Sequence, residues 1–143
     1  MPYEYLEEIG TADIAFEATG RDLSELFSNA ADATTNVMID NIEAIQPRET
    51  RQIELSNDKL DMLLFDFLQE LIFLKDARRL LLRIREVQID QRVEIYFMKA
   101  TAEGETLDAK RHHQRADVKA VTLHNFSVKR TESRWKARVL LDI

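Results

Sequence analysis

Asp13 near the start of the chain and the closing Leu141-Asp142-Ile143 are the residues best suited to hold a hard cation. Asp142 stands beside the carboxylate of Ile143, the last residue of the sequence. Two carboxylates one residue apart on ordered backbone repel each other unless a cation or a basic group lies between them. Oxygen-only donor sets select Ca²⁺, Mg²⁺ or Mn²⁺ over metals that prefer thiolate or imidazole. Asp13 alternates out of phase with Ala12 and Ile14, so it faces away from a core built on them. Taken alone, Asp13 reads as a solvated strand aspartate; taken with Asp142 and Ile143, it reads as a third oxygen donor. It lies 129 positions from Asp142, and only adjacent terminal strands would bring the two together.

The other candidate groups are histidines. His112 and His113 sit in a charged stretch beside Lys110, Arg111 and Arg115, where a His-His pair is usually solvated, and a structural role is the default for each of the three histidines. His124 ends the run Val118–His124 and could line a cleft or be structural. The spacing from His113 to His124 matches no compact zinc pattern. There is no Gly-x-Ser-x-Gly elbow, P-loop or His-Glu-x-x-His. The chain has no cysteine and only three glycines, Gly10, Gly20 and Gly104. Disulfides, thiolate metal sites, cysteine nucleophiles and a Gly-rich phosphate cradle are thereby excluded.

The elements that must position these residues can be read from periodicity. Tyr3 to Leu6 predicts a short strand and Thr11 to Thr19 a second, ended by Gly20. Asp22-Leu-Ser-Glu25 has the form of a capping box. Leu23, Leu26, Phe27, Ala30, Ala31, Thr34, Val37 and Met38 then form one face of a helix. Gln46-Pro47 predicts a loop, and Arg51 to Leu55 a strand. Asn57 and Asp58 can cap a second helix, whose stripe is Leu60, Leu63, Leu64, Phe67, Leu68, Leu71 and Ile72. Asp61, Asp66, Gln69 and Glu70 fall mostly off that stripe. From Leu80 the period drops to two. Leu82, Ile84 and Val87 lead to a turn at Asp90-Gln91, and Val93, Ile95 and Phe97 return. Val118 to Val128 predicts another strand, Arg130 to Ser133 a hairpin turn, and Trp135, Ala137, Val139 and Leu141 one face of a last strand. Asp142 then points to the opposite face from Trp135. The absence of a tail after Ile143 suggests that this strand belongs to the fold. Two early helices followed by antiparallel strands predict an α+β fold in a single domain, with amphipathic helices on a mainly antiparallel sheet.

Composition sets the outer limits. The chain has 143 residues, 45% hydrophobic and 32% charged, with a net charge of −6. It is long enough for a real core. The negative charge argues against general nucleic-acid binding and against a DNA partner. Lys110, Arg111 and Arg115 form a small local basic patch. No apolar run reaches the ~20 residues needed to span a bilayer, and the acidic start is no secretory signal. Together with the missing cysteines this fits a cytoplasmic protein without a membrane partner.

Several segments, taken together, resemble the archease family. They are Thr11-Ala-Asp-Ile14 before an acid-capped helix, Leu63-Leu-Phe-Asp-Phe-Leu-Gln-Glu-Leu71, Gly104-Glu-Thr-Leu-Asp108 with His112, Val118-Lys-Ala-Val-Thr122 with His124, and the ending Leu141-Asp-Ile143. The likeness covers essentially the whole chain, in order. It implies a small α+β protein that activates an RtcB-type RNA ligase in tRNA splicing and RNA repair, and is not itself an enzyme. That role would promote guanylylation of the ligase at a histidine, support multiple turnover and broaden nucleotide use. The resemblance also implies a metal site at Asp13, Asp142 and Ile143, with calcium the ion most associated with it and Mg²⁺ or Mn²⁺ as alternatives. His112, Lys119 and His124 become candidate contacts to the partner or to the metal's ligands. Lys110, Arg111, Arg115 and Lys119 are candidate contacts to ligase, nucleotide or RNA, with any RNA contact indirect or weak. Two positions depart from the family pattern: Gly10 stands where a His is usual, and Leu123 where a Tyr is common. Loss of that His would alter a contact that orients Asp13. The alternatives are a chaperone-like binding module for RNA-processing proteins and, less favoured, a metal-dependent phosphoesterase.

Overall fold

Strand alternation and helix caps act locally in this chain, and most elements follow from them. The computed structural model describes residues 2–6 and 13–143. In chain order the elements are β1 (Tyr3–Tyr5), β2 (Asp13–Gly20), α1 (Leu23–Met38), β3 (Glu49–Asn57), α2 (Leu60–Arg78), β4 (Leu80–Arg92), β5 (Ile95–Thr106), β6 (Ala120–Arg130) and β7 (Trp135–Asp142). A short 3-10 turn, Ile42–Ala44, precedes β3. The strands form two antiparallel sheets, ordered β1-β2-β7-β6 and β3-β5-β4. This is the expected α+β class. Of the predicted first long strand, Thr11 and Ala12 lie outside the described residues.

Asp22 caps α1, accepting from the Glu25 N–H at 2.8 Å. In a capping box the Glu carboxylate returns to the cap residue's own N–H. Here it reaches one residue further back, to the Arg21 N–H at 3.1 Å, and also pairs with the Arg21 guanidinium. The predicted face of α1 is buried except at Leu23, which is half-buried, and Ala33 and Thr35 are buried as well. The added burial arises because α1 touches β1, β2 and β7 of one sheet and β4 of the other. α2 also meets both sheets, through β6 on one side and β3, β4 and β5 on the other. Phe27 of α1 and Phe67 of α2 stack at 5.9 Å, both fully buried, where the helices join the core.

The cap of α2 differs from expectation. The residue preceding the helix is Lys59, which makes no side-chain cap bond. Asn57 instead accepts from the Lys59 N–H at 3.0 Å, bracing the approach to the helix rather than its first turn. The C-terminal end closes on Arg79 in the left-handed conformation, φ 54°.

Two other differences come from tertiary pairing. The spacing from Ile84 to Val87 breaks alternation because the β4–β5 register shifts between Ile84 and Glu86, making a bulge at Arg85. Beyond it the pairing runs straight through Asp90 and Gln91 to Arg92↔Ile95. The turn is therefore Val93-Glu94, not Asp90-Gln91, and Val93 takes φ 58°. The hairpin between β6 and β7 falls close to where it was expected, with the Thr131 N–H donating to the Arg134 carbonyl at 2.8 Å.

Gly104 on β5 lies between Glu49 of β3 and Leu82 of β4. A Cβ at this position would stand 1.8 Å from the Leu81 carbonyl oxygen. Neither partner is a flexible side-chain end, so the strands would have to part. Gly104→Ala is expected to lower the free energy of unfolding by roughly 2–4 kcal/mol, measured by urea denaturation. Wild-type stability in that variant would contradict the close approach.

Candidate functional site

β2 and β7 run antiparallel at the centre of the four-stranded sheet, and Asp13 is the direct partner of Asp142. The parity that buries Phe16, Ala18, Ala137, Val139 and Leu141 turns both aspartates to the other face. Both are half-buried. Directly opposed residues have Cβ atoms about 4.5–5.5 Å apart, and like charges placed so are destabilising. Among the described residues neither carboxylate makes an ion pair, so nothing basic offsets the repulsion.

On the β6 side the partner of Asp142 is Ala120, a small and uncharged side chain. The Lys119 N–H donates to the Asp142 carbonyl at 2.8 Å, which fixes the end of β7 against β6. Ile143 is half-buried and packs on the core, so its side chain anchors the residue after Asp142. Among the described residues no three His, Asp or Glu side chains gather around one point. The aspartates are a pair. A six- to eight-coordinate hard cation would need main-chain or water oxygens besides them, and the main chain of Ile143 is the nearest candidate in sequence for one of them. The donor set is all oxygen, which suits Ca²⁺, Mg²⁺ or Mn²⁺.

The remaining predicted residues lie elsewhere. Lys119 is exposed next to Ala120. His124 is exposed within a wide bulge, where β6 leaves register between Thr122 and Ser127. Leu123, in the same bulge, is also exposed. His113 is exposed and meets Asp40 at 2.9 Å. His112 is not solvated as its charged neighbours suggested: it is 1% exposed. The Asp108 N–H donates to its Nδ1 at 2.9 Å, which leaves its Nε2–H to donate to Glu105 at 2.9 Å.

Glu105 is the residue that the sequence did not single out for chemistry. It sits near the end of β5, 2% exposed. Its carboxylate accepts from the Arg111 guanidinium, the Gln46 N–H at 2.8 Å, His112 and Arg48 Nε at 3.1 Å. The Arg111 hydrogen bond leads in holding the Glu105 carboxyl down at about 2, against burial that pushes the other way. The signal in the chain is a Glu on a strand with Arg111 and His112 six and seven positions after it and Arg48 far before it. The cluster ties the segment before β3, the end of β5 and the loop leading to Val118 into one unit. It is a fastener for that loop and lies apart from the aspartates.

The archease protein family (MTH1598/TM1083) matches residues 3–143. The chain belongs to the archease family. The protein archease of Pyrococcus abyssi is 35% identical over 134 residues, spanning 93% of this chain and 94% of that protein. The solution structure of Methanobacterium thermoautotrophicum protein 1598 superposes with a TM-score of 0.85 at 35% identity, covering 99% of both chains. A Thermotoga maritima archease, described as a possible chaperone, shares the fold at a TM-score of 0.57 and 18% identity over 96% of this chain and 97% of its own. Of the two departures from the archease pattern, Gly10 lies outside the described residues and Leu123 is the exposed bulge residue. No helix among the described residues is long and apolar enough to cross a membrane.

The Glu105 cluster makes stability depend on pH. An unfolded glutamate titrates near 4.3, above the folded value of about 2. A carboxyl depressed in the folded state adds stability above the unfolded value, and that contribution disappears as pH falls from about 4 toward 2. Glu105→Gln is therefore expected to cost roughly 3 kcal/mol at pH 7 and progressively less between pH 4 and pH 2. Urea denaturation of both proteins at pH 7, 5 and 3 measures this. An equal gap at pH 7 and pH 3 would mean that the charge contributes nothing.

Proposed function

We propose that this protein activates an RtcB-type RNA ligase, supporting its guanylylation and multiple turnover, and that it does so from the sheet end carrying Asp13 and Asp142. One observation carries the reading: two aspartates stand directly opposite each other across β2 and β7 with no basic partner among the described residues. A fold does not keep such a pair for stability. Membership of the archease family supports the choice of partner. With a main-chain oxygen of Ile143 the pair would offer three oxygen donors to a divalent cation, calcium above all. A bound cation would supply charge neutralisation at this end and oxygen-ligand sites to share with a partner. The protein's own residues do the rest: β2 and β7 hold the carboxylates in register, Lys119 fixes the strand end through its N–H, and Ile143 anchors the last residue in the core. The role is that of an activator without chemistry of its own. Being acidic, it suits a partner that itself binds RNA.

Asp13→Asn tests the reading in two ways. In EDTA the variant is expected to melt at or above the wild-type temperature, since a like-charge pair has been removed. It should lose the rise in Tm that Ca²⁺ gives the wild type, with affinity down by about tenfold or more. With the ligase of the same organism, RNA in excess and GTP and Mn²⁺ limiting, it should no longer turn a single round of joining into many. Undiminished stimulation by Asp13→Asn and by Asp142→Asn would overturn the proposal.

A chaperone-like reading has one observation of its own. The β4–β5 turn exposes Val93 almost fully, with Ile95 and Phe97 beside it, an apolar tip suited to a protein partner. Suppression of client aggregation without ligase or nucleotide, lost on Val93→Ser, would favour it.

A further inference from the structure

The face of the four-stranded sheet that carries the aspartates has a second, opposite character at its other end. Along β7 the residues of that face are Asp142, Leu140, Arg138 and Lys136; on β6 they are Ala120, Thr122, Ser127 and Lys129. Lys129 is the direct partner of Lys136, two like charges face to face. Arg138 comes next on β7, and the exposed Arg134 closes the tip. From Lys129 to Arg138 the sequence holds five bases against one acid, Glu132, in a chain whose net charge is −6. Among the described residues none of Lys129, Lys136 and Arg138 makes an ion pair or a side-chain hydrogen bond. Glu17 on β2 stands opposite Arg138 without pairing to it, and Glu4 on β1 stands opposite Glu17. Acids thus gather on the β1–β2 side and bases on the β6–β7 side of the same face.

A cross-strand lysine pair with no acid between the two is destabilising in the isolated protein. A bound anion would offset that cost. A shallow pocket of about 370 Å³ opens here, lined by Asn125, Phe126, Ser127, Lys129 and Arg138. The β6 bulge shapes it, with Asn125 at φ 56°. Two cations, an amide and a hydroxyl meet in it. Polar and charged groups predominate on it: Trp135 faces inward under the Arg130 guanidinium, 5.7 Å from its ring, and half-buried Phe126 packs edge-on against Phe65 of α2, which leaves few of the apolar anchors of a protein interface. Repeated phosphates match such a surface better than scattered carboxylates do.

We propose that the outward face of the β6–β7 hairpin binds the phosphodiester backbone of single-stranded RNA. Lys129, Lys136 and Arg138 meet successive phosphates. Asn125 and Ser127 offer an acceptor and donors to a ribose 2′-hydroxyl, the group that separates RNA from DNA. A flat two-stranded surface suits a splayed strand better than either groove of an A-form duplex. Asp142 lies four residues from Arg138 along β7, about 14 Å, so a strand lying on this face would run toward the aspartate end. The assignment rests on this face alone and holds whether or not the ligase reading does.

The test is fluorescence anisotropy of the whole protein with a labelled 20-nucleotide single-stranded RNA, without ligase, between 50 and 200 mM KCl. Wild type is expected to bind with log K falling linearly against log salt. The triple variant Lys129→Gln, Lys136→Gln, Arg138→Gln should lose about tenfold or more in affinity at low salt, and its slope should flatten by about 2, as expected for three lost phosphate contacts. It should melt no lower than wild type. Because Arg138 is half-buried, the double variant Lys129→Gln, Lys136→Gln serves as a second probe and should show a smaller loss in the same direction. Lys59→Gln, at an exposed lysine just before α2, should bind as wild type does. The proposal is overturned if wild type fails to bind at 50 mM KCl, or if the variants bind unchanged. It is equally overturned if DNA of the same sequence binds as tightly, or if polyglutamate of equal charge displaces the RNA as well as unlabelled RNA does.

Discussion

The antiparallel pairing of β2 with β7 is the constraint on which the rest of the four-stranded sheet depends. It joins Asp13–Gly20 to Trp135–Asp142, segments from opposite ends of the chain. Side chains on a strand alternate faces, so a slip of one residue would move Phe16, Ala18, Ala137, Val139 and Leu141 out of the core. The helices make that slip costly, since α1 packs on β2 and β7 while also reaching β4. The same register sets the other face. It puts Asp13 on Asp142, Glu17 beside Arg138, and Ala15 on Leu140, a pair buried on the far side from the main core. Candidate chemistry and core packing are thus two consequences of one pairing.

The Glu105 cluster does comparable work where the chain is irregular. The loop between β5 and β6 has few ladder bonds, and a buried carboxylate replaces them with strong charge-assisted ones. Arg111, His112 and the Asp108 N–H belong to the loop, while Arg48 and the Gln46 N–H belong to the approach to β3. Removal of one partner would strand a buried charge, which is why such a network is all-or-none. The loop then returns along α1, with the Arg115 and Ala116 N–H groups donating to Met38 and Val37, and delivers Lys119 and Ala120 beside Asp142. A side chain remote from the aspartates in this way shapes their neighbourhood.

The outer face of the four-stranded sheet is organised by charge rather than by shape. Among the described residues like charges are set opposite one another three times on this face, at Glu4–Glu17, Asp13–Asp142 and Lys129–Lys136, and such pairs cost stability in the isolated protein. Buried Ala15 and Leu140 lie between the aspartates and the lysines. A surface that keeps uncompensated charge of both signs at separate ends is suited to ligands of opposite sign, a cation at one end and phosphates at the other. The net charge of −6 reports only their sum, which is why composition pointed away from nucleic acid while one hairpin points toward it.

The sequence by itself determined what depends on near neighbours. Apolar spacing marked the buried faces of both helices, Asp22 and Glu25 marked the start of α1, and the period of two set the inward face of β7 and the outward direction of Asp13 and Asp142. These features arise from backbone geometry within a few residues, so they survive without knowledge of the partner. Tertiary structure decided what depends on which segments meet. The facing of Asp13 and Asp142, the burial of His112 under Glu105, the bulge at Arg85 with the turn moved to Val93, and the opposed lysines of the β6–β7 hairpin are all of this kind. Each is fixed by register or by closure of a long loop, and no local period encodes either. Polar residues are also the least constrained by periodicity: a Glu on an alternating strand reads the same whether water or two arginines await it.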